Sequence, residues 1–211
     1  MSVTVLVPTA EPGVAITPYS NRIDPQTFAG VVGFAANSLP GSVDFLAALA
    51  SSILARIPGA SARFQDKGDT PQRSSDPLSD VELAEVADSC DAIVLAYGHC
   101  GSCTSATVRD AVALARLGRP VVAIVIPSFA AEAAQVARAV GMPDVPLFVL
   151  PGPMSSRSAV ERAAVAEAVV GDVLARLAGA GGMASRSAVE REAVAAAAVG
   201  DVSARLAGIA G

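Results

Sequence analysis

The sequence predicts an α/β fold, a three-layer parallel sheet of about five strands with helices on both faces, and a duplicated C-terminal helix. Three observations predict it. Uniformly apolar runs recur at 31–36, 92–96 and 120–126, and strands without polar alternation belong to sheets covered on both sides. Segments of helical period separate those runs, which makes the strands parallel and joined by crossovers. Hydrophobic residues are 52% of 211, ample for one core, and aromatic residues at 4% leave that core to Ala, Val, Leu and Ile.

Residues 1–30 are rich in proline and read as an N-terminal arm or an extra edge strand. The first buried strand is 31–36. A turn follows, Asn37-Ser38-Leu39-Pro40-Gly41-Ser42, and a helix from Asp44 with Phe45, Leu49, Ile53 and Ile57 in one row. The second strand is 60–64, and 65–77 is a polar loop. Ser79 or Asp80 caps a helix that ends near Ser89. Strand three, 92–96, leads through His99-Cys100-Gly101-Ser102-Cys103 to a helix over 104–117. Strand four, 120–126, stops at Pro127. Ser128 then caps a helix to Val140, closed by Gly141, and strand five is 145–150.

The tail contains a repeat. Residues 154–182 align without gaps to 183–211, and a position-by-position count gives 22 identities in 29. Each copy is an amphipathic helix opened by Ser and closed by Gly. Val165, Val169, Val173 and Leu177 line one face of the first; Val194, Ala198, Val202 and Leu206 are their counterparts, with Ser203 replacing Leu174. The second copy therefore has less apolar surface to bury. The domain division that follows is an arm at 1–30, an α/β catalytic domain at 31–182 and the extra helix at 183–211. A duplication lying outside the core is the plainer reading of that helix; a homodimer contact or a cover for the site is the sharper one.

A formal charge of −5, with no basic face, excludes the usual nucleic-acid binder. No basic cluster suits a membrane surface, and no apolar stretch reaches membrane-spanning length. Residues 1–9 lack the positive and apolar regions of a secretory signal. Three cysteines, two of them in C-x-x-C, fit a cytoplasmic protein with thiol chemistry better than a disulfide scaffold. No signature of flavin, nicotinamide or metal is present, so no cofactor is expected.

The chemistry concentrates between strand three and its helix. A helix start offers free N–H groups and a positive dipole end, which favour thiolate over thiol. In a sheet of order 2-1-3-4-5, the flavodoxin-like and Rossmann-like arrangement, ligands bind beyond the strand ends where the order reverses, between strands one and three. The flanking loops are then 37–42 and 98–105. Gly98 and Gly101 allow a tight turn and close approach. Ser102, Thr104 and Ser105 supply hydroxyls, Asn37 and Ser38 a polar rim, and Ser128 the edge beyond strand four. Four readings of the cysteines stand side by side: reversible disulfide chemistry, a single nucleophile helped by His99, a metal site short of ligands, and small residues filling a turn. Cys90 reads as core and Tyr97 as strand packing; Arg109-Asp110 reads as an ion pair or a ligand clamp, with a solvated helix face the commoner outcome.

The run DAIVLAYGHCGSCTSATVRDAVALARLGRPVVAI resembles the UGSC family, named for selenocysteine-Gly-Ser-Cys after the third strand, with cysteine at the first position in some members as at Cys100. Asn37 after strand one, then Thr104, Ser105, Val108, Asp110, Ala111 and Val112, and the later GMPDVPLFVLP at 141–151, extend the likeness over about residues 5–153. The resemblance implies a thiol- or selenol-based enzyme of redox type, and a small molecule is the expected substrate. It implies Cys100 as nucleophile and Cys103 as resolving or assisting thiol. Members often show His-Pro after strand five, where this chain has Gly152-Pro153, which shifts acid–base work toward His99. A more distant likeness is to aspartate/glutamate racemases, which use two cysteines from two lobes; this chain has sheet for one. A non-redox lyase, isomerase or hydrolase, and a non-catalytic binding or assembly module, are the alternatives to a thiol oxidoreductase.

Overall fold

A computed structural model describes residues 14–37, 39–67 and 71–179. Ser38 and the second tail copy, 183–211, lie outside the described residues, so the structure bears on neither. Five parallel strands form one sheet in the order β2-β1-β3-β4-β5: β1 Val31–Ala36, β2 Ser61–Asp66, β3 Ala92–Gly98, β4 Val121–Val125 and β5 Leu147–Val149. The central strands β3 and β4 are buried at every position, as their unbroken apolar runs require. The edges carry the polar and short strands. On β2, Phe64 is half exposed and stacks on Phe34 at 5.4 Å between ring centroids.

Five α-helices cover the sheet: α1 Ser42–Arg56, α2 Asp80–Ser89, α3 Gly101–Arg116, α4 Ala130–Ala139 and α5 Ala159–Leu177. Successive side chains on a strand point to opposite faces, so the core divides in two. Phe34, Val94, Val122 and Ile124 pack with Phe45, Leu49 and Ile53 of α1 and Val165, Val169 and Val173 of α5. Ile93, Leu95, Ala123 and Val125 pack with Val108, Ala111 and Val112 of α3 and Ala133 and Ala137 of α4. The helical rows read from the sequence on α1 and α5 are these buried faces. Among the described residues no helix is long and apolar enough to cross a membrane.

The described part of the arm, 14–30, adds no strand to the sheet; it crosses the N-terminal ends of the strands instead. The N–H of Thr17 donates to Gly141 O at 2.8 Å, and that of Ile23 to Leu177 O at 2.9 Å. The Asn21 amide donates to Ala115 O at 2.6 Å and Arg119 O at 3.1 Å, and the N–H of Val121 donates to the Tyr19 hydroxyl at 2.9 Å. Burial pushes the Tyr19 phenol above its ordinary value. Most boundaries fall within two residues of those expected, and two differences matter. Pro127 opens a short 3-10 turn, Pro127–Phe129, so Phe129 rather than Ser128 precedes α4, and no side chain caps that helix. Helix α3 starts three residues earlier than its apolar period suggests, at Gly101.

Candidate active site at the carboxyl end of β3

Because α3 starts at Gly101, Cys100 is its N-cap and Cys103 lies inside its first turn. The Cys103 N–H donates to Cys100 Sγ at 3.2 Å, and the Cys100 N–H donates to Cys103 Sγ at 3.1 Å. Each sulfur thus takes one of the amides that a helix start leaves without a backbone partner. The two are joined as a disulfide with Cα atoms 5.3 Å apart. They are not equivalent: Cys103 has no exposed surface, whereas Cys100 is half-buried and reaches the rim. Gly98 is there for close approach, while Gly101 faces only the tip of a flexible side chain. A Cβ on Gly98 would lie 2.6 Å from Thr104 Oγ1 and 2.9 Å from Thr104 Cα. One on Gly101 would lie 3.2 Å from Glu132 Oε1.

The other expected residues divide by what they already hold. Asn37 is 3% exposed; its amide donates to Tyr97 O at 2.6 Å and its Oδ1 accepts from Leu39 N at 3.4 Å, so it braces β1 against β3. Tyr97 continues the brace, donating to Pro40 O at 2.6 Å, and burial pushes its phenol up to about 12. Thr104 is wholly buried beneath Gly98, its hydroxyl without a partner among the described residues. Ser102 is exposed, 3.6 Å from Cys100 Sγ and 2.8 Å from Ser75 Oγ. Ser105 accepts from Arg109 Nε at 3.3 Å. His99 Nε2 is paired with Ser155 Oγ at 2.9 Å, and its ring leans on Tyr97 at 6.0 Å. Ser128 is exposed on the 3-10 turn after β4. Cys90 is core, and burial raises its thiol above the ordinary range.

Three features of the site escape a reading of the sequence. The first is Asp110. It is not on a solvated face: it is 1% exposed, pairs with Lys67 Nζ at 2.6 Å, and accepts from Leu78 N at 2.8 Å. Burial outweighs the ammonium and holds the Asp110 carboxyl above its ordinary value. Lys67 also donates to Asp76 O at 2.6 Å, which holds the segment carrying Ser75 against α3. One signal was available, since Lys67 is the chain's single lysine among 15 basic residues. The second is Ser155, the partner of His99, contributed by the loop that opens the first tail copy. The third is Glu132, on the first turn of α4, whose carboxylate lies over Gly101. Among the described residues no group of three His, Cys, Asp or Glu side chains is arranged to hold a metal ion.

A model of the UGSC family matches residues 4–179. The chain belongs to the UGSC family. The match ends at the glycine that closes α5, so it takes in 154–179 of the first tail copy and none of 183–211. No curated protein and no solved structure matches the chain. Within this UGSC domain the motif Cys100-Gly101-Ser102-Cys103 occupies the last residue before α3 and its first turn, beside the switch point where β1 and β3 adjoin.

Proposed function

We propose that this UGSC-family chain is a cytoplasmic thiol oxidoreductase that exchanges electrons with a small-molecule disulfide. Cys100 attacks and Cys103 resolves. The observation that carries the reading is the asymmetry of the pair. Cys100 is reachable from the rim and has an amide proton directed at its sulfur, which favours the thiolate. Cys103 sits behind it, buried, within bonding distance.

The exchange balances as follows. The Cys100 thiolate attacks one sulfur of a disulfide RS–SR′, forming Cys100–S–SR and releasing R′S⁻. Cys103, deprotonated, attacks Cys100 Sγ, forms the intramolecular disulfide and releases RS⁻. The protein dithiol is oxidised by two electrons, and the substrate is reduced to two thiols. Ser102 and Ser75, whose hydroxyls meet at the rim, are the polar groups placed to orient the substrate. The geometry gives less support to a single nucleophile assisted by His99, because that imidazole is engaged by Ser155.

The test is mass spectrometry of the peptide spanning 92–109 with Cys103→Ser as the partner experiment. Mild oxidant removes about two hydrogens from the wild-type peptide and dithiothreitol restores them. Cys103→Ser accumulates the Cys100 mixed disulfide and stops after one half-reaction. Full turnover by Cys103→Ser would refute the resolving role and leave the single-nucleophile chemistry.

A further inference from the structure

The repeat in the tail meets the structure at α5. Nine residues of that helix are buried, and its apolar row packs on α1 and the sheet. In the second copy, 29 positions further on, seven of the nine are the same residue; Val169 becomes Ala198 and Leu174 becomes Ser203. The polar fastenings are kept as well. The capping box of Ser158 and Glu161 has Ser187 and Glu190 as its counterparts. Arg162, which donates to Asp44 Oδ2 at 2.8 Å, corresponds to Arg191. Arg176 donates to Leu147 O at 3.0 Å with its guanidinium 4.8 Å over the Phe148 ring, and it corresponds to Arg205. What the copy lacks is Glu167, the partner of Arg56 at 2.7 Å and of Ser52 at 2.6 Å; Ala196 stands in its place.

A surface that holds one helix, in a chain that carries two sequences for it, sets up a competition. We propose that the seat of α5 is a docking surface for 183–211 of the same chain, which takes it whenever α5 leaves. Three things make α5 the preferred occupant. Val169 and Leu174 fill space that Ala and Ser leave open. Arg56 and Ser52 keep their carboxylate. Seating the second copy adds 29 residues to the connection from β5, although closure entropy grows only slowly with length. The exchange reaches the site. Ser155, which pairs with His99 Nε2 at 2.9 Å, has Ala184 as its counterpart, so seating the second copy deprives His99 of that hydroxyl. The seat therefore has two settings, one with His99 held and one with it released. The inference does not depend on the oxidoreductase reading.

The test uses the full chain and three variants: Val173→Asp in α5, Val202→Asp at its counterpart, and both together. Val173 has no exposed surface, so an aspartate there ejects α5 from its seat. Hydrogen exchange read by mass spectrometry follows 159–177 and 188–206, whose peptides differ in sequence. Wild type and Val202→Asp both protect 159–177 and melt within about 2 °C of each other. Val173→Asp stays folded with protection transferred to 188–206, and it melts at least about 10 °C above the double variant. The proton NMR signal of the chain's one histidine moves in Val173→Asp to match that of Ser155→Ala. Dilution leaves the exchange pattern unchanged, because both copies belong to one chain. Val173→Asp melting with the double variant, or protection that does not appear on 188–206, overturns the second occupant. Protection of 188–206 that fades on dilution moves the docking to a neighbouring chain and overturns the intramolecular form. A histidine signal left where it is in the wild type overturns the link to the site.

Discussion

Lys67 Nζ lies 2.6 Å from Asp110 Oδ2 with both side chains almost wholly buried, 4% and 2% exposed. The pair joins the end of β2 to the middle of α3 beneath the site. Each partner is further satisfied, Asp110 by the N–H of Leu78 and Lys67 by Asp76 O. Removing one member leaves a buried charge without its counterpart. Lys67→Met is therefore expected to cost about 3–5 kcal/mol in urea unfolding. Lys67→Met with Asp110→Asn recovers part of that, because no charge stays unpaired and the Asn oxygen still accepts from Leu78. Equal stabilities for Lys67→Met and the double variant would show that the carboxylate left behind by Lys67→Met costs nothing.

Gly98→Ala bears on how α3 is seated under β3. The added methyl meets Thr104 at 2.6 Å from its hydroxyl and 2.9 Å from its Cα, and backbone cannot swing aside as a flexible side chain can. Overpacking of this kind costs about 1–3 kcal/mol. Moving the helix start also moves the amides that face Cys100, so a lower melting temperature and slower alkylation of Cys100 are expected together. A variant that melts like the wild type would mean that β3 and α3 separate more easily than their contact implies.

The three thiols are expected to separate cleanly in the reduced, folded protein. Iodoacetamide at pH 7 modifies Cys100 first, because its sulfur is reachable and faces a helix start. Cys90 stays unmodified until the protein is denatured: it is 4% exposed, and burial raises its thiol. Peptide mapping after timed quenching reads the order directly. Early label on Cys90 would contradict its place in the core.

The sheet order was legible because uniform apolar runs separated by helical periods leave few arrangements for a parallel sheet. What was not legible has physical causes. The start of α3 was hidden because Gly101 and Ser102 are poor helix formers and because cysteine is not among the usual capping residues. Ser128 looked like a cap, but Pro127 winds the next turn as 3-10 and spends Ser128 inside it. Asn37 was rightly placed beside the switch point, yet its amide is taken by β3, a long-range contact that no local pattern encodes. Only the approach of α4 to α3 brings Glu132 over Gly101.

The acid limb of stability is expected to depend on the glutamates that are held. The hydrogen bonds from Ser79 hold Glu82 below its ordinary value, those from Ser158 do the same for Glu161, and those from Arg56 and Ser52 for Glu167. A carboxyl whose folded value is depressed binds its proton more readily in the unfolded chain, so its contribution is complete above the ordinary value of 4.5 and is lost as pH falls through the lower folded value. Melting temperature should therefore hold steady from pH 7 to about 5 and decline below 4.5. Glu161→Gln keeps the size and an acceptor for the Ser158 N–H but removes the titration, so its melting temperature falls less steeply over the acid range than that of the wild type. Ser158→Ala removes the cap itself and costs about 0.5–2 kcal/mol even at neutral pH. Parallel curves for wild type and Glu161→Gln below pH 4.5 would show that this capping box carries no part of the acid sensitivity.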